Sequence, residues 1–286
     1  MRRLEILHRT CYNFIEEVQL GPHRLLLRPR EGADLRIETS QLDTVPPAAI
    51  HWLRDEYDNA VALATFEAKT TQLEIVSKVI VQHYNEAPLD FLMAESAVAY
   101  PFSYDADTAL MLQPYTTRPG PDDDLAISTW LNKWWRRGEA VQTFGLLARL
   151  CNGIHETLRY QAREQPGVQT AAQTLALGVG SCRDFANLFM GATRSLGLAA
   201  RFVSGYLYAP SPDGQSGATH AWTEVYLPGA GWKGFDPTIG EVAGDEHIAV
   251  AVARLADIIP PVSGSYFGPG SADMVVGVWV TELRGT

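Results

Sequence analysis

The sequence predicts an α+β protein in which an amino-terminal antiparallel β-sandwich precedes a core of helices packed on an antiparallel sheet. Three observations predict it. Short alternating runs separated by turn clusters fill the first ninety residues. Two segments, 139–160 and 182–197, carry apolar residues at helical spacing. Strand-like runs then return at 201–209, at 220–227 and from Trp232 onward.

The amino-terminal runs are Leu4–Arg9, His23–Pro29, Asp34–Val45, Ala60–Lys69 and Gln72–His83. Turns are expected at Leu20–Pro22, Arg30–Asp34, Pro46–Pro47 and Asp55–Asn59, where Gly, Pro, Asp and Asn cluster. Within Leu73–Val81 the apolar positions fall largely every second residue, the period of a half-buried sheet. His8, His23, His51 and His83 are scattered along this stretch and read as surface or core histidines. From Glu86 to Arg118 the pattern dissolves into Pro, Tyr, Ser and Asp, as in a linker or cover segment. Asp122, Asp123 and Asp124 then suit the positive end of a helix dipole. They lack the roughly 12-residue spread of a calcium loop. The expected divisions are therefore 1–95, a β-rich domain; 96–124, linker or cover; and 125–286, the core with its carboxyl-terminal strands.

In the helix expected over 139–160, Phe144, Leu147, Leu150 or Cys151, Ile154 and Leu158 form one stripe. A second helix, Ala171–Leu177, leads to Gly178, Gly180 and Ser181, which interrupt it. Phe185, Leu188, Phe189, Ala192 and Leu196 then resume helical spacing, and Gly197 ends the helix.

Composition narrows the class. The 286 residues are 46% hydrophobic and 20% charged, as in a globular chain, which excludes intrinsic disorder. Twenty-three Lys and Arg against thirty-three Asp and Glu leave a net charge of −10, which argues against nucleic acid and anionic membranes as partners. There is no apolar run of about 18 residues to span a bilayer. Glu5, His8 and Arg9 interrupt the stretch where a signal peptide has its apolar core, so a cytoplasmic address is expected. The three cysteines, Cys11, Cys151 and Cys182, are too dispersed for a disulfide framework or a paired-cysteine metal site. The oligomeric state is not legible.

Chemistry concentrates between Gly178 and Thr238. Cys182 opens a helix at the positive end of its dipole and off the apolar stripe, where a thiolate is favoured. A lone cysteine there is more often structural, but the downstream residues change the odds. The strand from His220 to Leu227 puts His220, Trp222, Glu224 and Tyr226 on one face, and Asp236 lies on the return strand. Nucleophile, base and orienting carboxylate thus occur in the order Cys182, His220, Asp236. The hairpin register is decisive. If Leu227 pairs with Trp232, Asp236 sits opposite Thr223 and faces away from His220. If Tyr226 pairs with Trp232, Asp236 sits opposite Trp222, diagonal to His220 on the same face. A triad requires the second register or a bulge.

These blocks, Gly180–Ala186, Ala199–Tyr206, Thr219–Trp232 and Phe235–Thr238, resemble the bacterial transglutaminase-like superfamily. His8–Thr10, Leu25–Arg30 and Asp55–Asn59 look like the β-rich domain that precedes the core in such proteins. The resemblance implies a papain-like core with Cys182 as nucleophile, His220 as base and Asp236 orienting the imidazole. It gives Asp184 and Trp222 structural or substrate-lining roles. The backbone N–H of Cys182 is one oxyanion donor in this reading, and Tyr160 and Gln173 are both open as the second. The reaction implied is acyl transfer from a peptide or protein carboxamide through a thioester, with hydrolysis favoured over transfer to an amine. No metal or other cofactor is implied.

Three rival readings carry less. A catalytically silent peptide-binding module would not need all three residue types. A metal site made of Cys182, His220 and Asp236 lacks a fourth protein ligand. An adaptor docking through Trp130–Arg137 rests on aromatics that suit a helix core better.

Overall fold

The computed structural model describes residues 1–163, 165, 167–209 and 219–283. Pro210–Ala218, which the sequence reads as a polar loop between the runs at 201–209 and 220–227, lie outside them.

One long strand organises the amino-terminal half. β1 (Arg2–Leu25) runs through the expected turn at Leu20–Pro22, which is instead an irregularity within the strand. Its pairing register against a carboxyl-terminal strand shifts between Leu20 and His23. Pro22 has no N–H to give the ladder, and Gly21 is the neighbour that fits: a Cβ there would lie 2.5 Å from the Ser265 hydroxyl. β2 (Leu35–Val45), β3 (Ala49–Arg54), β4 (Ala60–Thr65) and β5 (Lys69–His83) complete the order β2-β5-β1-β4-β3. β3 was not expected; Ala49 and every residue after Ile50 are exposed, so burial alternation never marks it. The sandwich is made from one sheet, because the first half of β1 pairs with β5 and its last residues pair with β4. Phe14, Leu20, Leu25, Ala62, Phe66, Leu73 and Ile75 fill the space between the two layers.

The segment read as linker or cover holds α1 (Glu95–Val98), β6 (Ala99–Tyr100) and α2 (Ala106–Leu112), and it packs closely on the core. The Tyr104 hydroxyl donates to Tyr226 O and accepts from the Ala199 N–H, each at 2.9 Å. Those bonds pin the cover across two core strands. α3 (Pro121–Leu131) begins with the three aspartates in its first turn, as the dipole favours. β7 (Val141–Gln142) precedes α4 (Thr143–Thr157), whose apolar stripe is buried. β8 (Arg159–Tyr160), α5 (Ala171–Leu177) and β9 (Val179–Gly180) lead to α6 (Cys182–Ser195), with Gly197 just beyond it at φ +80°.

The second sheet has β10 (Ala200–Leu207), β11 (His220–Leu227), β12 (Gly231–Asp236), β13 (Glu241–Val242) and β14 (His247–Ala253) in the order β13-β12-β11-β10-β14. α6 packs on one face, where Thr223 Oγ1 donates to Ala186 O at 2.7 Å and Phe189 meets Phe235. Trp222, Val203 and Val252 pack on the other. The final strands, β15 (Val262–Phe267) and β16 (Ala272–Glu282), were expected to complete this sheet. Only β14 joins it; β15 and β16 return to pair with β1. Valine content marks β16 as a strand but does not name its partner.

The two halves share one core, in which Leu4, Ile6, Leu26, Val79 and Val81 join Phe185, Phe202, Tyr206 and Ile248. The outer edge of β14 is closed by the amino-terminal half. Asn59, fully buried, accepts from the Val252 N–H at 2.8 Å and donates to Val252 O at 2.9 Å, and the Arg30 N–H reaches Ala249 O.

Candidate active site

The turn before Cys182 is built around a buried carboxylate. Asp184 is fully buried and accepts from the Ser181 N–H and hydroxyl, both at 2.8 Å, from Gln169 N at 2.7 Å and from Arg163. Burial alone would raise the Asp184 pKa, but the Ser181 N–H and the Arg163 guanidinium outweigh it and hold the carboxyl below its usual range. Asp184 is thus structural: it closes a capping box that fixes where α6 starts. Cys182 is the first residue of that helix, 8% exposed, and its N–H has no acceptor within the helix.

Thr223 pairs with Phe235 and Tyr226 with Trp232, the register that puts Asp236 beside Trp222 and diagonal to His220. His220 Nε2 donates to Asp236 Oδ2 at 2.5 Å. The Cys182 thiol lies near enough to the same imidazole to help raise its pKa. With Nε2 occupied by Asp236, Nδ1 is the nitrogen left for the thiol. Burial alone would lower the His220 pKa; the Asp236 hydrogen bond first, then the nearby Cys182 thiol and the Asp236 charge, push it up to about 10. Asp236 is fully buried, which by itself would raise its pKa. Hydrogen bonds from His220 and His247 hold it well below the carboxylate range instead.

His247 reads in the sequence as a polar residue that begins a strand, with a place in the cleft as the lesser reading, and nothing there joins it to this cluster. Its Nε2 lies 3.1 Å from Asp236 Oδ2, and its ring packs edge-on against Trp222 at 5.1 Å between centroids. The chain reaches it by passing from β13, beyond β12, to the far edge of the sheet, and eleven residues of sequence separation carry no cue to that return. Thr238 adds a third donor, its N–H to Asp236 Oδ1 at 2.9 Å.

His220, Asp236 and His247 each offer a ligand atom, all within 4.8 Å of one another, so among the described residues this is where a metal could be held. The donor pattern fits hydrogen bonding better. The Gly244 N–H donates to His247 Nδ1 at 3.3 Å, which puts the imidazole hydrogen on Nε2, the atom a metal would need bare.

The remaining expected residues separate. Trp222 is 2% exposed and supports both imidazoles from beneath, with ring centroids 6.2 Å from His220. Gln173 is turned away to other work: its Oε1 accepts from the Thr170 N–H and closes the cap of α5. Tyr160 pairs with Gly180 in the parallel β8–β9 ladder and rests edge-on against Phe185. Burial raises its pKa, and proximity to Cys182 adds to the rise. Its side chain is half exposed near Cys182. A cavity of about 480 Å³, lined by Gln161, Arg163, Gln169 and Val179, continues from this ladder.

The fold agrees with what the chain is similar to. A crystal structure from Cytophaga hutchinsonii, described as that of a candidate cysteine protease, superposes with a TM-score of 0.74 at 18% identity, covering 100% of this chain and 92% of that one. An uncharacterized protein of Mycobacterium leprae is 25% identical over 295 residues, covering 99% of this chain and 100% of its own length. An uncharacterized protein of Mycobacterium tuberculosis is 28% identical over 283 residues, covering 92% of this chain and 87% of its own. The family model of the bacterial transglutaminase-like N-terminal region matches residues 4–82, and that of the transglutaminase-like superfamily matches residues 136–237. The chain therefore joins a bacterial transglutaminase-like N-terminal region to a core of the transglutaminase-like superfamily.

Proposed function

We propose that this chain is a thiol-dependent acyl-transfer enzyme that hydrolyses carboxamides in peptide or protein substrates. One observation carries the reading. Cys182, at the start of a helix, lies beside an imidazole that a buried carboxylate holds at Nε2. The candidate cysteine protease with the same fold is in keeping with it.

His220 holds the proton of the Cys182 thiol at Nδ1 as an imidazolium, and the sulfur anion beside it attacks the carboxamide carbon. The Cys182 N–H faces the developing oxyanion, and the Tyr160 hydroxyl supplies the second donor. The C–N bond breaks as His220 returns the proton to the leaving amine, which leaves a thioester on Cys182. Water then adds with His220 as base, the C–S bond breaks, and the sulfur recovers its proton as the acid departs. Asp236 stays ionised throughout and keeps Nε2 as donor.

Transfer of the acyl group to a second amine uses the same thioester. Incubation with a glutamine-rich protein, with and without a fluorescent primary amine, separates the outcomes. Release of ammonia or new peptide termini without fluorescence in the protein supports hydrolysis. Covalent fluorescence that depends on Cys182 replaces hydrolysis by amine transfer, and neither product in any arm contradicts the proposal.

A further inference from the structure

We propose that His247 is a positioning residue for the proposed reaction: it fixes Asp236 so that the carboxylate can in turn hold His220. This rests on the reading of Cys182, His220 and Asp236 as the reacting set.

His247 opens β14 and is 7% exposed. Its tautomer is set from behind. The Gly244 N–H donates to Nδ1 at 3.3 Å, so Nε2 carries the hydrogen and donates to Asp236 Oδ2 at 3.1 Å. Asp236 Oδ2 therefore receives two imidazole N–H groups, and Oδ1 receives the Thr238 N–H. A carboxylate held by three donors on two sides has one orientation. Without His247, Oδ2 keeps His220 alone and Oδ1 the Thr238 N–H, so two donors hold the group where three did.

His247 is itself anchored by the amino-terminal sheet. His83, the last residue of β5, donates from Nε2 to His247 O at 3.0 Å, and the Asn85 N–H occupies His83 Nδ1. Arg2 in β1 pairs with Asp245 at 2.5 Å, two residues before His247. The amino-terminal region thereby reaches the site through the backbone around His247. The titratable groups around Asp236 are His220 on β11, His247 on β14, Cys151 on α4 and Glu241 on β13. Those around His247 are Asp236, His220 and, from the amino-terminal side, His83 with Asp34 and Asp245 near it.

The test needs no substrate. The rate of Cys182 alkylation by iodoacetamide is followed from pH 4 to pH 9 in the full chain, in His247→Phe, in His247→Gln and in His220→Ala. Phenylalanine fills the space against Trp222 without a donor; glutamine restores an N–H. With His247→Phe the rate at pH 7 is expected to fall about 10-fold, as for a lost hydrogen bond to a charged group. Its acid limb is expected to move up by about one pH unit, because the imidazolium beside the sulfur is less well held. His247→Gln is expected to stay within about 3-fold of the parent. Overlap of the His247→Phe and parent profiles overturns the proposal, as does equal loss in both variants without movement of the limb. A parent rate equal to that of His220→Ala would instead overturn the reading of the reacting set.

Discussion

Tyr226 lies opposite Trp232, and that register decides where Asp236 stands. A slip of one residue would turn Asp236 to the α6 face and leave His220 without a partner. Gly205 protects the arrangement from the other side. It lies opposite His220 on β10, and a Cβ there would come within 2.2 Å of Ile248 O and 2.7 Å of the Trp222 ring.

Asp236→Asn is expected to retain the fold and lose at least about 10³-fold in kcat on any carboxamide the protein hydrolyses. The amide can present N–H where His220 needs an acceptor, so the ring loses its tautomer as well as its counter-charge. Steady-state rates together with a circular dichroism melt check this, and a loss of less than about 10-fold with an unchanged melt would contradict it.

Tyr160→Phe is expected to lower kcat about 10²-fold, with little change in KM, by removing one oxyanion donor. The half-exposed ring keeps its edge contact with Phe185, so the thermal midpoint is expected to hold. Gln173→Ala is the contrasting variant. Its loss is of a helix cap on α5, so stability falls by about 1 kcal/mol while kcat does not change. The two variants together assign the second donor.

Acid should loosen the junction between the halves before it reaches the site. His8 of β1 hydrogen-bonds the Tyr206 hydroxyl of β10 at 3.1 Å, and burial pushes its pKa down to about 4. His23 and His83 are lowered too, chiefly by burial. The unfolded chain takes up these protons near pH 6.5 and the folded chain does not, so stability is full above pH 6.5 and falls toward pH 4. For His8 alone the loss is about 3 kcal/mol by pH 4. His220 has the opposite sign. Its raised pKa contributes stability that is full below pH 6.5 and is lost as pH rises toward 10. Urea unfolding at pH 7 and pH 4.5, for the parent and for His8→Gln, checks the acid side; equal losses in both proteins would contradict the assignment to His8.

Much of the core was legible because its signals are local. α5 and β11 fall where the residues put them, Ala171–Leu177 and His220–Leu227. The helix that begins at Cys182 is marked by its glycine flanks and its stripe. Two hairpin registers were distinguishable on paper because side-chain direction alternates with each residue. What escaped was non-local. β16 reads as a strand, but nothing within Ala272–Glu282 says that it pairs with β1 rather than with β10. Tyr104 and Tyr100 look like loop residues until the backbone groups they bond, Tyr226 O, Ala199 N and Leu196 O, come to meet them. His247 begins an apolar strand and looks ordinary there. Its importance comes from the passage of the chain between opposite edges of a sheet, and residue type does not encode that.

The most direct measurement of the central claim is the rate at which each cysteine reacts with iodoacetamide at pH 7, read by peptide mass spectrometry in the parent and in His220→Ala. Cys151 is buried, and burial with the nearby Asp236 and Glu241 charges pushes its thiol pKa up, so it serves as the silent reference. The account expects Cys182 to react at least about 10-fold faster than Cys11 and Cys151, and to lose that advantage when His220 is replaced. Reaction of Cys182 at the pace of the other two, or a fast reaction indifferent to His220, would contradict it.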